Sequence, residues 1–291
     1  MPASPRRKAY GQHFLKDQSV INKITEKVIT EYQNNSHIDH LLEIGPGKGA
    51  LTQPVFDTLF FQSNQKIKKP LLFTIVEKDK KIAHDWTIKT ADLKGINVLS
   101  QDFLNLKNSD YLAGQSTLVF SNLPYSAGTA ILNKLALDSK KIPVMILMFQ
   151  AEVAARLRAN PDTKSWGSLS LWIQNLWDVE KLLFVPPSAF SPRPDVNSEV
   201  LIFRARTSPK VQLTDQNLTL WEKLIKTAFL HRRKMLRSSL PKDPLWQDSL
   251  IKAGINPTLR AEALNWEDWQ RWFEAIILNN NSQSNKMIKS K

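Results

Sequence analysis

The chain alternates between short apolar runs and segments whose apolar residues recur at helical spacing. The first helical segment covers residues 17–32, with Asp17 as its predicted N-cap. The apolar runs that follow are predicted to be buried strands: Leu41–Ile44, Leu71–Val76, Ile96–Leu99, Thr117–Ser121, Val144–Phe149, Lys181–Val185 and Val200–Arg204. Strands that alternate with helices predict a parallel α/β sheet. The polar residues 62–69 are expected to form a surface loop.

The pattern changes at Thr207-Ser208-Pro209, beyond which only helical spacing remains. The apolar residues from Leu218 to Phe229 fit one helix face, and Asn265 is typical of a helix start. We therefore expect an α/β domain over residues 1–206 and a smaller all-helical domain over residues 207–278, of about 70 residues. Residues 279–291 are rich in Asn, Ser and Lys and are expected to be a disordered tail.

The charge balance favours a polyanionic partner. Lys and Arg number 40 against 27 for Asp and Glu, a net charge of +13, and cations that meet phosphates release counterions. A merely soluble basic protein, or one that touches anionic lipid, is the alternative. The absence of cysteine excludes disulfides and thiolate sites, and no metal site is expected. With no secretory signal or membrane-spanning run, we expect a soluble, monomeric, cytoplasmic protein that does not contact membranes.

Three predicted strands end in groups suited to an adenosine-like ligand. The segment Glu43–Gly49 is a strand followed by a glycine turn, in which Gly45 and Gly47 would let a ligand approach the backbone and a following helix would offer free N–H groups. Glu77, after the next strand, is placed to hold ribose hydroxyls, and Asp102, after the third, to accept a bond from an adenine amino group. S-adenosylmethionine fits these groups, and NAD also remains open.

The fourth strand ends in Asn122-Leu123-Pro124-Tyr125, which suits methylation of an adenine N6. That nitrogen is a poor nucleophile because its lone pair is delocalised into the ring. The Asn122 amide oxygen can accept one amino hydrogen, and the carbonyl of Leu123 or Pro124 can accept the other. Tyr125 can stack on the base, so that positioning and electrostatics supply the catalysis. A strand-end turn with an incidental Asn and Tyr is the plain alternative.

Phe190 is a second aromatic candidate, in a loop stiffened by the prolines of Val185–Pro194. Opposite Tyr125 it would complete a sandwich around an extruded base. A core phenylalanine beside a rigid connection is an equally reasonable interpretation.

A basic segment lies in the predicted helical domain. The segment His231–Arg237 contains Arg232, Arg233, Lys234 and Arg237. On one helix, Arg233 and Arg237 would share a face and suit phosphate contacts. An ordinary solvated helix surface is the alternative.

Taken together, the motifs resemble those of the ribosomal RNA adenine N6,N6-dimethyltransferases, in the same order. The segments that carry the resemblance are Gly11–Leu15, Glu43–Gly49, Asn122–Tyr125, Phe190–Pro194 and Arg232–Lys234. The resemblance implies a class I, Rossmann-like, S-adenosylmethionine-dependent methyltransferase fold with a helical C-terminal domain. It also implies that His13 and Leu15 join Gly45, Glu77, Asp102 and Asn122 around S-adenosylmethionine, and that Tyr125 and Phe190 flank the target adenine.

Within that family, the segment Gly254–Glu262 and the Leu at position 123 resemble the small-subunit (16S) branch. That branch modifies two adjacent adenines in a hairpin of small-subunit ribosomal RNA during ribosome maturation, so the expected partner is that RNA or an immature small subunit. The alternatives are a large-subunit methyltransferase of the macrolide-resistance type and a non-catalytic ribosome assembly factor. A DNA adenine or protein glutamine methyltransferase usually carries a second proline in the motif, which this chain lacks.

Overall fold

The computed structural model describes residues 13–61, 72–112 and 116–289. The chain divides into two compact units, the first made of residues 1–154 and 177–206 and the second of residues 155–176 and 207–291. The predicted loop at 62–69 and the residues Gly11 and Gln12 lie outside the described residues.

The first unit is built on a seven-stranded sheet. Its strands are β2 (His40–Ile44), β3 (Leu72–Glu77), β4 (Ile96–Ser100), β5 (Thr117–Asn122), β6 (Val144–Gln150), β7 (Trp177–Val185) and β9 (Ser198–Ala205). They lie in the order β4-β3-β2-β5-β6-β9-β7. The five strands from β4 to β6 are parallel, and β9 runs antiparallel to both of its neighbours. The prediction of seven strands is confirmed. The sheet is mixed and not all parallel, because β9 runs antiparallel to β6 and β7.

The first unit also contains a second, separate sheet of two antiparallel strands. Its strands are β1 (Phe14–Leu15) and β8 (Phe190–Ser191), with Leu15 opposite Phe190. The Lys16 N–H also donates to the Ala189 carbonyl at 2.8 Å. These bonds attach the start of the described chain to the segment that precedes β9.

Helices cover the sheet of the first unit. They are α1 (Gln18–Asn34), α2 (Thr52–Phe56), α3 (Lys80–Lys89), α4 (Asn108–Leu112) and α5 (Gly128–Ala136). As predicted, Asp17 caps α1, where its carboxylate accepts from the Val20 N–H at 3.1 Å. Asp79 caps α3 in the same way. Buried residues of α1 and α2 pack with residues of β2, β3 and β5 in one hydrophobic core.

The second unit contains helices joined by turns and loops, and no strand among its described residues. Its helices are α7 (Ser168–Gln174), α8 (Leu218–Phe229), α9 (Leu236–Ser239), α10 (Pro244–Lys252) and α11 (Trp266–Lys289), and α6 (Ala151–Leu157) runs across the division between the units. Five tryptophans are among the residues buried in its core: Trp166, Trp221, Trp246, Trp269 and Trp272. Asn265 caps α11, because its side chain accepts from the Asp268 N–H at 2.9 Å.

Two expectations about the domains need correction. Residues 155–176 belong to the helical unit rather than to the α/β unit, because Trp166 and Leu171 are buried in its core and Asn175 bonds to Val211. A disordered tail was expected from residue 279, whereas α11 is described as far as Lys289. Extending an existing helix costs far less than nucleating one, so polar residues can prolong it.

Candidate active site

A cavity of about 770 Å³ opens where β2, β3 and β5 of the first unit end. That volume is in the range of small-molecule sites. Its lining includes every residue predicted for the cofactor and for the chemistry apart from Phe190: His13, Leu15, Glu43, Gly45, Gly47, Glu77, Asp102, Asn122, Leu123, Pro124 and Tyr125. Parallel strands whose carboxyl ends meet at one edge explain this convergence.

The glycine turn follows β2 directly. Gly45, Gly47 and Gly49 have φ of +67°, +54° and +88°, which only glycine adopts at low cost. A Cβ on Gly47 would lie 3.2 Å from the Phe14 ring, so the turn depends on glycine at this position for space as well. The helix expected after the turn, α2, begins only at Thr52 and has five residues. We therefore assign no anion site to its N-terminus.

Glu43 supplies an unsatisfied acceptor at the cavity. Its side chain is 2% exposed, and its Oε2 atom has no hydrogen-bond partner. Burial raises the pKa of Glu43 to about 8, and the charge of Glu77 acts in the same direction. An ammonium group brought beside this carboxyl would provide a donor and would favour its ionised form. The orphaned oxygen therefore fits a cationic amino acid moiety such as that of S-adenosylmethionine.

Glu77 is the last residue of β3 and is held by backbone N–H groups. Its Oε2 accepts from Gly47 at 3.2 Å and its Oε1 from Asp79 at 2.8 Å. Burial raises the pKa of Glu77, and these backbone bonds oppose that shift. The carboxylate is thus oriented beside the glycine turn, where it can accept bonds from ligand hydroxyl groups.

Asp102 lies beyond β4 and is anchored on both oxygens. Its Oδ1 accepts from the Leu104 N–H at 3.0 Å, and its Oδ2 lies 2.7 Å from the Lys78 Nζ. The Lys78 ammonium holds the pKa of Asp102 below its usual value. Lys134 of α5 supports the turn after Asp102, because its ammonium donates to the carbonyls of Phe103 at 2.8 Å and Leu104 at 3.1 Å.

The Asn-Leu-Pro-Tyr segment begins on the last residue of β5. The Asn122 Nδ2 donates to the His13 carbonyl at 3.4 Å, which leaves its Oδ1 as the acceptor. The Pro124 carbonyl already accepts from the N–H groups of Ala127 at 3.0 Å and Gly128 at 2.9 Å. Of the two carbonyls considered as the second acceptor, that of Leu123 is therefore favoured over that of Pro124.

Tyr125 is half-buried at the cavity and is held at its hydroxyl and on one face. Its hydroxyl bonds to the Ser198 Oγ at 2.6 Å, and its ring stacks on His13 with centroids 5.6 Å apart. The His13 Nδ1 in turn lies 2.8 Å from the Pro192 carbonyl. Burial raises the pKa of Tyr125, so the side chain stays a neutral platform.

Phe190 does not line the cavity, and the expectation of an exposed ring there is wrong in this structure. The residue is 2% exposed and packs in the main core of the first unit with Leu15, Val185 and Ala189. Its strand β8 pairs with β1, so the proline-rich loop buries the ring instead of presenting it. The core interpretation, which the sequence left open, is the observed one.

The basic segment is not one helix. Helix α8 ends at Phe229, residues 231–234 form a turn, and α9 begins at Leu236, so Arg233 and Arg237 do not share a helix face. Arg233, Lys234 and Arg237 are exposed. Arg232 is also exposed, but its guanidinium donates to the carbonyls of Lys164 at 2.7 Å and Trp166 at 2.8 Å.

Comparisons with known proteins agree with this geometry. Residues 3–278 match the family described as ribosomal RNA adenine dimethylase. The chain is 33% identical to ribosomal RNA small subunit methyltransferase A of Bacillus cereus, over 94% of this chain and 91% of the relative. The protein of the same name from Bacillus mycoides is also 33% identical, over the same shares of both chains.

Two solved structures share the fold. The 23S rRNA methyltransferase ErmE has a TM-score of 0.62 at 22% identity and covers 91% of this chain and 99% of its own. A dimethyladenosine transferase from Plasmodium falciparum has a TM-score of 0.70 at 19% identity and covers 94% and 98%. The expected class I methyltransferase fold is thus confirmed. The chain therefore belongs to the ribosomal RNA adenine dimethylase family and is an S-adenosylmethionine-dependent rRNA adenine dimethyltransferase.

Proposed function

We propose that this enzyme dimethylates the N6 amino groups of two adjacent adenines in a hairpin of small-subunit ribosomal RNA, as part of ribosome maturation in the cytoplasm. The small-subunit assignment is supported by the names of the relatives at 33% identity, which match over 94% of the chain. The chemical assignment rests on one observation above all. Asn122 and Tyr125 line the same cavity as the glycine turn and Glu77.

The cofactor would occupy the side of the cavity formed by the glycine turn. Glu77 would accept bonds from the ribose, Asp102 from the adenine amino group, and the orphaned oxygen of Glu43 from the amino acid ammonium group. His13 and Leu15 would close this side. Bound S-adenosylmethionine supplies a methyl group on a positively charged sulfur.

The target adenine would lie beside Tyr125, on the ring face away from His13. The Asn122 Oδ1 and the Leu123 carbonyl would each accept one N6 hydrogen. These bonds draw the amino group toward tetrahedral geometry and localise its lone pair. With these two acceptors in place, the lone pair would face the methyl group that the cofactor supplies, and the methylated nitrogen would release its proton to water. No side-chain base is required, because methylation itself acidifies that proton.

Replacing Asn122 tests this proposal. In Asn122→Ala, one acceptor of the amino group is lost, so we expect methyl transfer to small-subunit RNA to fall about 100-fold or more. The dissociation constant for S-adenosylhomocysteine should change far less. The control is Asn133→Ala, which removes an exposed asparagine of α5 and should keep wild-type rates.

The measurement is mass spectrometry of N6,N6-dimethyladenosine after incubation with immature small subunits or with large-subunit RNA. Dimethylation of large-subunit RNA alone would reject the proposed substrate. Full activity of Asn122→Ala would reject the proposed chemistry. An inactive wild-type protein that still binds small subunits would indicate a non-catalytic assembly role.

We propose that the active form is a monomer.

A further inference from the structure

Trp86 contacts the glycine turn from outside the cavity. Its indole Nε1 donates to the Gly47 carbonyl at 3.0 Å. A Cβ on Gly49 would lie 2.6 Å from the same indole ring, so the ring packs directly against the turn. Trp86 does not line the cavity, so any effect on a ligand must pass through the turn.

The two polar backbone groups of Gly47 are held by two different partners. Its N–H donates to the Glu77 Oε2 at 3.2 Å, while its carbonyl accepts from Trp86. Glu77 ends β3, and Trp86 lies on α3, which Asp79 caps shortly after Glu77. The two peptide units that meet at the Gly47 Cα are therefore each held by a neighbouring segment of the chain, the preceding one by Glu77 and the following one by Trp86.

We propose that Trp86 is a positioning residue of the cofactor site, which acts through the backbone at Gly47. The indole N–H holds the Gly47–Lys48 peptide, and the bond to Glu77 holds the preceding peptide, so that together they fix the backbone dihedral angles of Gly47 and keep its N–H on Glu77. Glu77 then keeps the orientation in which it accepts ribose hydroxyls, and the turn keeps its left-handed conformation. This inference rests on the cofactor assignment of Glu77 under the proposed function, but not on the identity of the RNA.

The indole is itself held rigidly. Trp86 is 2% exposed, the Phe56 ring meets it edge-on at 6.0 Å, and the Lys89 ammonium lies 4.8 Å over its ring. A donor held this firmly defines the position of its acceptor. Without it, the Gly47 carbonyl must find another donor, and a shift of the Gly47 backbone would weaken the adjoining N–H bond that holds Glu77.

Calorimetry with S-adenosylhomocysteine, without RNA, tests the proposal. Trp86→Phe removes the indole N–H and should raise the dissociation constant roughly 3- to 10-fold, the worth of one hydrogen bond. Trp221→Phe is the matched control, because that buried indole lies in the helical unit and its N–H has no partner. It should lower the melting temperature without changing the dissociation constant. In a Glu77→Ala background, Trp86→Phe should have little further effect.

A second variant separates the hydrogen bond from packing. Benzothienylalanine at position 86 keeps the shape of the indole but replaces its N–H by sulfur, so folding is preserved and only the donor is lost. A raised dissociation constant in this variant supports the proposal. A dissociation constant within about twofold of the wild-type value overturns the proposal and makes Trp86 a core residue only. Failure of wild type to bind would instead reject the cofactor assignment of Glu77.

Discussion

At the scale of residues, the site depends on pairs of side chains that hold one another. The hydroxyl of Tyr125 bonds to Ser198, which is completely buried at the start of β9. Ser198 is itself fixed by strand pairing with Gln150 of β6 and Val185 of β7. The orientation of the aromatic platform is thus set by the main sheet.

Removing the Ser198 hydroxyl is expected to loosen that platform. In Ser198→Ala, we expect kcat for RNA methylation to fall roughly 5-fold, the worth of one neutral hydrogen bond, while S-adenosylhomocysteine binds as in wild type. Tyr125→Phe should have a similar effect. Because both variants break the same bond, the double variant should be no slower than either single one. Additive losses in steady-state rates would show that the two hydroxyls act separately.

At the scale of elements, a histidine of β2 joins this strand to its two neighbours in the sheet, β3 and β5. The His40 Nδ1 lies 2.9 Å from the Thr117 Oγ1 of β5, and its Nε2 lies 2.8 Å from the Thr74 Oγ1 of β3. The side chain is 1% exposed. Burial lowers the pKa of His40 from 6.5 to about 4, so the folded sheet contains the neutral imidazole.

This burial predicts a loss of stability in acid. Because the folded pKa lies below the unfolded one, protons bind the unfolded chain first as the pH falls from 6.5 towards 4. The free energy of unfolding should therefore fall by roughly 1 kcal/mol per pH unit across that window, from His40 alone. Urea unfolding at several pH values in this window should show that fall in the free energy of unfolding for wild type. The control variant His84→Asn, which replaces an exposed histidine, should show the same fall.

In His40→Asn, the free energy of unfolding should change less steeply with pH than it does in wild type. Glu43, whose pKa burial raises to about 8, contributes with the opposite sign, because its stabilisation is lost as the pH rises from 4.5 through 8. This contribution is common to all three proteins and cancels in their difference. An equal slope in His40→Asn and in wild type would contradict the assignment.

At the scale of the whole molecule, the net charge of +13 predicts salt-dependent RNA binding. The exposed cations Arg233, Lys234 and Arg237 are the proposed phosphate contacts in the helical unit. Arg232 is separated from this set, because its guanidinium bonds to backbone carbonyls and lies 3.6 Å from the Glu262 carboxylate. Its removal is expected to destabilise the helical unit as well.

Replacing Arg233, Lys234 and Arg237 by Ala should weaken RNA binding, most strongly at low salt concentration. The slope of log K against log salt should become shallower by about 2, since each lost phosphate contact removes roughly 0.7 to 0.9. A control variant loses the same charge at three exposed lysines of the first unit: Lys80, Lys81 and Lys94. Filter binding at several salt concentrations gives both slopes. Equal slopes in the two variants would mean that only net charge matters.

The helical unit also contains residues that lie between two strands of the first unit in sequence. No helical or strand period distinguishes residues 155–176 from the α/β pattern around them. Their membership in the second unit follows from contacts with residues far along the chain, such as the bond of the Asn175 Nδ2 to the Val211 carbonyl at 3.1 Å.

The sequence by itself determined the strands, the capped helices and the edge of the sheet that we propose for the cofactor. Apolar runs, the Asp17 and Asn265 caps and the glycines of the turn depend on neighbours within a few residues. Parallel strands then bring Glu77, Asp102 and Asn122 to the same edge. These groups could therefore be predicted before any contact was known.

Only the tertiary structure decided what lies around those groups. The burial of Phe190, the Ser198–Tyr125 bond and the Trp86–Gly47 bond join residues far apart in the chain, the last two across 73 and 39 positions. The break of the basic segment at residues 231–234 has the same origin, because the Leu236 N–H bonds to the Leu259 carbonyl at 2.8 Å. Such contacts depend on how elements pack, and local propensity carries no information about them.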